Sequence, residues 1–294
     1  MDPRRLELLL ELSRLGSMSE VAATLAVSTS TVSQQLSVLS REAGATLIEP
    51  DGRRVRLTPA GRRLAEHAVT ILAAIEAARA DLDPSAEPSG APRVAAFATA
   101  VRRVLLPAVR TLATTHPAVH LHLREHEPDE ALALLDNDDV DLALVYDYNL
   151  APRAFSESTA VIPFDSAAWG LGVPSTEPAV SGTSVEAIGT QRDRDWIVNS
   201  RNTADEDVVR SLAAMAGFHP RVTHRADSLD LVQEMIRDGL GVGLLPMDQP
   251  TIPGVGLVHL QEPEVRLRSF AATRLGRAQW PPLALLLRLV TDPA

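Results

Sequence analysis

Five arginines, Arg53, Arg54, Arg56, Arg62 and Arg63, fall within eleven positions of a 294-residue chain whose net charge is −10. Guanidinium groups at that density suit phosphate oxygens, which give affinity without sequence preference. Upstream runs a set of short hydrogen-bonding side chains, Ser28, Thr29, Ser30, Thr31, Ser33 and Gln34. Small hydroxyls and amides let a helix approach base edges and read their donors and acceptors. The alternative is a polar surface helix of an ordinary three-helix module, but such a helix would carry glutamates and arginines. The chemistry on offer is recognition of double-stranded DNA.

Other constellations are weaker. His120, His122 and His126 lie close in sequence but bring no clear fourth ligand, so a metal site is not expected. Asp136-Asn137-Asp138-Asp139-Val140-Asp141 has the composition of a calcium loop without its central glycine or final glutamate, and reads as a solvated turn. The chain has no cysteine. Disulfides, thiolate metal sites and thiol chemistry are thereby excluded. No Ser/His/Asp order, phosphate loop or paired carboxylate set stands out. Neither an enzymatic activity nor a cofactor is expected.

The elements that must hold the DNA-reading groups are legible. Asp2-Pro3 is a helix start, Leu6, Leu9 and Leu10 mark an apolar face, and Gly16 is a stop. Ser19 reads as the cap of a short second helix. Ser28 caps a third, whose Val32, Leu36, Leu39 and Ala43 form one stripe, leaving Ser30, Gln34, Ser37 and Arg41 to point outward. Two helices so closely joined fit a helix-turn-helix. Leu47–Pro50 and Arg54–Thr58 read as strands around Asp51-Gly52, a charged hairpin placed as a wing.

Ala22-Ala23-x-Leu25-x-Val27-Ser28-x-x-x-Val32-Ser33-x-Gln35-Leu36, followed by Gly52-Arg53-Arg54-Val55-Arg56-Leu57-Thr58-Pro59-Ala60-Gly61, resembles the DNA-binding domain of LysR-type transcriptional regulators. Two departures, Thr29-Ser30 for the usual glutamine-proline and Gln34 for the usual arginine, fall where such proteins touch DNA. The operator sequence therefore cannot be carried over.

Thr58-Pro59 caps a long helix reaching Leu82. Leu64, Ala68, Ile71, Ile75, Ala78 and Leu82 are spaced 4, 3, 4, 3, 4, an a/d seam expected to pair two subunits. Packing within its own chain is the alternative for that stripe, and the resemblance also implies dimerisation through this helix. Residues 83–92, rich in proline, read as a hinge.

Beyond it, strands and helices alternate: strands at 93–98, 120–124, 142–146, 168–173, 196–199, 221–224 and 242–245, with helices at 101–115, 130–137, near 184–188, 204–215 and 229–237. That alternation implies a parallel sheet covered by helices, in two lobes with ligand space between them. Leu105-Leu106-Pro107, His116-Pro117, Asp141-Leu142-Ala143-Leu144 and Gly239–Pro246 resemble the effector domain of the same family, itself similar to periplasmic binding proteins; Asp138 stands where glycine is common. Ligands of such sheets sit at strand C-termini. The expected effector residues are therefore Ala98, Thr99, Ala100, Glu127, Pro128, Asn199, Ser200, Asn202, Asp227 and Ser228, with Thr99 facing Ser200 across the cleft. Helix starts there favour anions, and an anionic metabolite is the expected ligand. Arg201 is the one nearby charge that could hold its carboxylate, with solvent as its alternative, and a plain helix cap is the alternative for Ser228.

The expected architecture is α/β with an N-terminal, mainly α domain. It runs as a winged helix-turn-helix over 1–58, a dimerisation helix and hinge over 59–92, and a binding-protein-like effector domain over 93–294. Lobe I takes 93–162 and 266–294, lobe II 163–265. Expected partners are operator DNA, a small-molecule effector, RNA polymerase and further copies of the chain as homodimer or homotetramer. Acids at Asp2, Glu7 and Glu11 do not suit a signal peptide, and no apolar run spans a bilayer, so the cytoplasm is expected. Two rivals fare poorly. Hydroxymethylbilane synthase, similar in architecture, anchors its cofactor on a cysteine, and Thr273-Arg274-Leu275 is only a partial echo of the prephenate dehydratase motif. An exported solute receptor would carry no DNA reader.

Overall fold

A computed structural model of the chain describes residues 1–52, 54–83, 87–176 and 182–292. Arg53 therefore lies outside the described residues, as does part of the expected hinge. Helix α1 (Pro3–Leu15) starts where the Asp2 carboxylate accepts from the Arg4 N–H at 2.9 Å and ends at Gly16. Helix α2 (Met18–Thr24) is capped by Ser17, not Ser19, its hydroxyl accepting from the Glu20 N–H at 3.5 Å. Two serines in a Ser-Met-Ser run compete for that role, and the turn set by Gly16 decides it. Helix α3 (Thr29–Ala43) is capped by Ser28, which accepts from the Thr31 N–H at 3.0 Å. Val32, Leu36 and Leu39 are fully buried against Leu6, Leu9 and Leu12 of α1, as their spacing requires.

Strands β1 (Ile48–Asp51) and β2 (Arg54–Leu57) form the antiparallel wing. Asp51 pairs with Arg54 inside the ladder rather than standing in the turn. Helix α4 (Pro59–Leu82) follows, its first turn held by Thr58, which accepts from the Gly61 N–H at 3.0 Å and donates to the Thr46 carbonyl at 2.6 Å. A Cβ on Gly61 would overlap the Leu47 carbonyl oxygen, so the glycine is what lets α4 lie against the segment that enters the wing.

The expected seam on α4 divides in two. Ala68 is fully buried and Leu64 and Ile71 pack on the N-terminal core of the same chain, while Ala78 and Leu82 are exposed and Ile75 is half-buried. The first half of the stripe is thus intrachain core, because α1 lies along α4 and takes it. The hinge is also shorter than its composition suggested: the Gly90 N–H donates to the Ala118 carbonyl at 3.0 Å and its carbonyl accepts from the His120 N–H at 2.9 Å, so the chain is already paired there.

The remainder is two lobes. The first holds β3 (Arg93–Ala96), α5 (Ala98–Ala100), a π-helical stretch (Val101–Leu105), α6 (Leu106–Thr115), β4 (His122–Glu125), α7 (Pro128–Asp136) and β5 (Leu142–Tyr148). Strand β6 (Thr159–Pro174) leads into the second lobe, with α8 (Ser184–Gly189), β7 (Asp195–Val198), α9 (Ala204–Met215), β8 (Arg221–Arg225), α10 (Leu229–Arg237), β9 (Gly243–Pro246) and β10 (Val255–His259). Strand β11 (Arg266–Arg274), a 3-10 turn (Arg277–Gln279) and α11 (Pro281–Thr291) return to the first. Strand β3 ends at Ala96 and Ala98 opens a helix, where the sequence suggested a strand to residue 98.

The sheet is mixed rather than parallel. β3, β4 and β5 are parallel, but β11 runs antiparallel to both β5 and β6, and β6 continues past Ala168 to pair antiparallel with β9 and β10. The half-buried to exposed first half of β6 and the largely alternating β11 lack the continuous apolar run that marked β5, whose seven residues are all buried. Asp138 takes the left-handed φ of +60° that a glycine would adopt, and Arg274 pairs with it at 3.4 Å.

Candidate functional site

Thr29, Ser30 and Gln34 are exposed on α3, and Thr31 and Ser33 are half-buried. The Ser28 hydroxyl lies 2.7 Å from both the Ser30 and Thr31 hydroxyls, so these three form a local cap network while Thr29 and Gln34 remain outward. Gln35 serves differently: its side-chain Oε1 accepts from Arg5 Nε at 2.8 Å, bracing α3 on α1. On the wing, Arg56 is exposed and pairs with Glu49 across the ladder at 2.9 Å. Arg62 Nη1 donates to the Leu57 carbonyl at 3.0 Å, which turns that arginine toward the wing's own backbone. The expected arginine cluster is therefore partly spoken for, and Arg54 occupies the ladder position facing Asp51.

The second site is a cavity of about 500 Å³ between the lobes. Ala98, Thr99, Ala100, Glu127, Asn199 and Asp227 line it, six of the ten expected residues. Pro128, Ser200, Asn202 and Ser228 do not. Ser200 fails to face Thr99 because its hydroxyl and N–H both bind the Asp227 carboxylate. Ser228 caps α10, accepting from the Leu231 N–H at 3.5 Å. Asn202 is buried behind the wall, donating to Glu127 Oε2 at 2.7 Å and Tyr146 Oη at 3.0 Å.

That arrangement links the lobes through one polar network. Tyr146, in buried strand β5, donates to Glu127 Oε2 at 2.9 Å, and Tyr148 donates to Asp205 Oδ1 at 2.9 Å in the first turn of α9. Asn199 donates to Tyr146 at 3.3 Å and accepts from the Asp205 N–H at 3.1 Å. Burial pushes the Asp205 carboxyl up to about 7, helped by the charges of Glu127 and Asp227 and opposed by the Tyr148 hydrogen bond. Burial likewise raises Glu127 above the usual carboxylate range, against the hydrogen bond from Tyr146. Asp227 moves the other way: burial would raise it, but hydrogen bonds from Ser200 and Arg201 outweigh that and hold it low.

Tyr146, Asp205, Phe164 and Trp169 all line this cavity and were missed by sequence reasoning. Tyr146 and Asp205 could have been found, since one lies toward the C-terminal end of the most apolar strand and the other in the first turn of a helix after a strand. Phe164 and Trp169 lie on β6 around the point where it passes between lobes, which sequence pattern does not mark.

The lining is acidic, where the sequence suggested an anionic ligand. Five carboxylates, Glu127, Asp165, Asp205, Asp227 and Asp248, face the cavity with one guanidinium, Arg103. Arg201, expected to hold a ligand carboxylate, is instead taken by Asp227 at 3.1 Å, Glu125 at 3.4 Å and Glu130 at 3.5 Å. A helix start contributes a partial positive charge at most, too little to offset those acids.

His126 bonds Glu130 at 3.2 Å, and among the described residues no three His, Cys, Asp or Glu side chains converge as a metal-ligand group. Among them, too, no helix is long and apolar enough to cross a membrane.

Two family models match the chain. The family model for the bacterial regulatory helix-turn-helix protein, lysR family, matches residues 3–62, and that for the LysR substrate binding domain matches 85–293. The transcriptional dual regulator GltC of Bacillus subtilis is 29% identical over 247 residues, covering 84% of this chain and 81% of that protein. A probable hydrogen peroxide-inducible genes activator of Mycobacterium avium is 30% identical over 261 residues, covering 88% and 80%. Among solved structures, a full-length OxyR variant from Pseudomonas aeruginosa superposes with a TM-score of 0.72 at 20% identity, over 99% of this chain and 94% of that one. Full-length CbnR in complex with its target DNA superposes with a TM-score of 0.52 at 21% identity, over 99% and 98%. These relatives are regulators rather than enzymes. With both of its parts matched, the chain belongs to the LysR family of DNA-binding transcriptional regulators.

Proposed function

We propose that this regulator binds an imperfect inverted repeat in operator DNA as a homodimer or homotetramer, and that a small molecule in the interlobe cavity changes that binding. The division of labour is residues 1–58 for DNA, 59–92 for assembly and 93–294 for the effector, with lobe I from 93–162 and 266–294 and lobe II from 163–265. Thr29, Ser30 and Gln34 read bases. Ser28, Thr31 and Ser33 with Arg53, Arg54 and Arg56 position the domain on phosphates. Ala98, Thr99, Ala100, Glu127, Asn199 and Asp227 contact the effector, while Pro128, Ser200, Asn202 and Ser228 hold those residues from behind. The cytoplasm is the compartment, and RNA polymerase is a further partner.

The observation that carries this reading is the contact between α4 and the effector domain. The Thr70 hydroxyl donates to the Leu275 carbonyl at 2.8 Å, and a Cβ on Gly276 would overlap the Thr70 side chain. The helix that leaves the wing thus rests on the domain holding the cavity, so a change in lobe closure can bias the geometry of the DNA heads. A peroxide signal of the kind named for the Mycobacterium avium relative would find no thiol here, since the chain has no cysteine. The test is a gel shift on the DNA upstream of the protein's own gene, with and without a compound chosen by thermal shift. A retarded band whose position or strength responds to that compound is expected. Failure to retard any DNA overturns the reading.

A further inference from the structure

The charges around the interlobe cavity are lopsided. Of its six ionisable acid and base side chains among the described residues, five are carboxylates, and the single arginine, Arg103, is itself paired with Asp248 at 2.6 Å. Glu127, Asp205 and Asp227 sense one another's charge, and the nearest cation, Arg201, stands outside the lining, bonded to Asp227 at 3.1 Å and shared with Glu125 and Glu130. Asp205 faces the cavity with a hydrogen bond from Tyr148 and has no ion pair among the described residues. A carboxylate kept from water without a counter-charge, as Asp205 is, is costly, and a protein tolerates it where a ligand supplies that charge.

A second, independent feature points the same way. Phe97, Tyr146, Phe164 and Trp169 line the same cavity, and Phe97–Tyr146 and Tyr148–Trp169 meet edge to face at 4.8 and 5.6 Å between ring centres. Aromatic faces attract organic cations and repel anions through the ring quadrupole. Aliphatic walls from Val104, Ala226 and Leu244 leave room for an apolar body.

We propose that the effector carries a protonated amine on an apolar body, its ammonium seated among Glu127, Asp205 and Asp227 and its body against Phe97, Phe164 and Trp169. This rests on the reading of the cavity as the effector site. The charge complement selects the class: an ammonium satisfies two or three carboxylate oxygens at once, whereas a carboxylate ligand would add negative charge to a lining in which acids outnumber bases.

Four probes on one skeleton test it by calorimetry on the full-length protein: 2-phenylethylamine, phenylalanine, 2-phenylethanol and 3-phenylpropanoate. The two amines are expected to bind at least about tenfold tighter than the neutral and anionic probes, the scale of one charge-assisted contact. Preference for 2-phenylethylamine identifies a simple amine, and preference for phenylalanine an amino acid. Glu127→Gln and Asp205→Asn, both close to isosteric, should each weaken the amines about tenfold and leave 2-phenylethanol unchanged. Equal or tighter binding of 3-phenylpropanoate overturns the proposal, as does no binding by either amine at millimolar concentration. Ala98→Phe, which narrows the cavity, separates the two readings. An anion displaced by that change leaves the cavity as effector site and ends only the amine. Binding indifferent to it moves the effector site out of the cavity altogether.

Discussion

The Asn202 side-chain amide reaches from the second lobe to Glu127 Oε2 in the first at 2.7 Å, and the Tyr146 hydroxyl meets the same oxygen at 2.9 Å. One carboxylate oxygen thereby latches the two lobes from behind the cavity. Asn202→Ala would leave a buried Glu127 oxygen with one donor fewer, a loss of about 1–3 kcal/mol. Differential scanning calorimetry should show a lowered effector-domain transition. A melting temperature equal to that of the native chain would show that the latch does not hold the closed form.

The raised carboxyl of Asp205 gives a pH dependence with a definite sign. Its folded value of about 7 lies above the unfolded Asp value of about 3.9, so between them the folded state binds more protons. Its contribution to stability is present below the unfolded value and is lost as pH rises toward and through 7. Glu127 and Asp227 face it from the other elements, Tyr148 donates to it, and Asp165, Asp248 and Arg103 stand on the same cavity. Glu127 acts with the same sign, being raised too. Urea unfolding from pH 5 to 8 should show stability falling, and Asp205→Asn should flatten that slope. An unchanged slope in the variant would assign the pH dependence to other groups.

At the DNA heads, the two kinds of contact should separate. Arg54→Ala is expected to weaken all duplexes alike and reduce the salt slope by about one, while Gln34→Ala should cost about 1–3 kcal/mol at particular base pairs. Fluorescence anisotropy against operator and scrambled DNA at several salt concentrations reads both. Equal affinity of both variants with native protein would remove α3 and the wing from the interface.

The split of the α4 stripe makes opposite predictions for its two ends. Ile71 packs on the N-terminal core of its own chain, so Ile71→Asp should destabilise that core by several kcal/mol, in the range of burying an unpaired carboxylate. Leu82 is 86% exposed, so Leu82→Asp should leave the fold intact and act only on association. Light scattering beside circular dichroism distinguishes them. An unchanged oligomer in Leu82→Asp would place the subunit contact away from the C-terminal end of α4.

The residue pattern alone determined the DNA-reading half almost in full. The caps at Asp2, Ser28 and Thr58, the Val32–Leu36–Leu39 stripe and the wing pairing all follow from local rules in which each residue's neighbours lie within a few turns. Helices Ala204–Met215 and Leu229–Arg237 were legible to the residue for the same reason. What only the tertiary structure decided is what depends on distant partners. Whether Leu64 and Ile71 face another subunit or the chain's own core depends on where α1 lies along α4. Whether Ser200 can meet a ligand depends on Asp227, 27 residues away, which takes its hydroxyl first. The charge of the cavity depends on which of 38 acids and 28 arginines end up facing it, and burial and pairing settle that after the strands are in register. Local pattern places a strand end or a helix start; only the packed lobes fix which side chains around it are left without a partner.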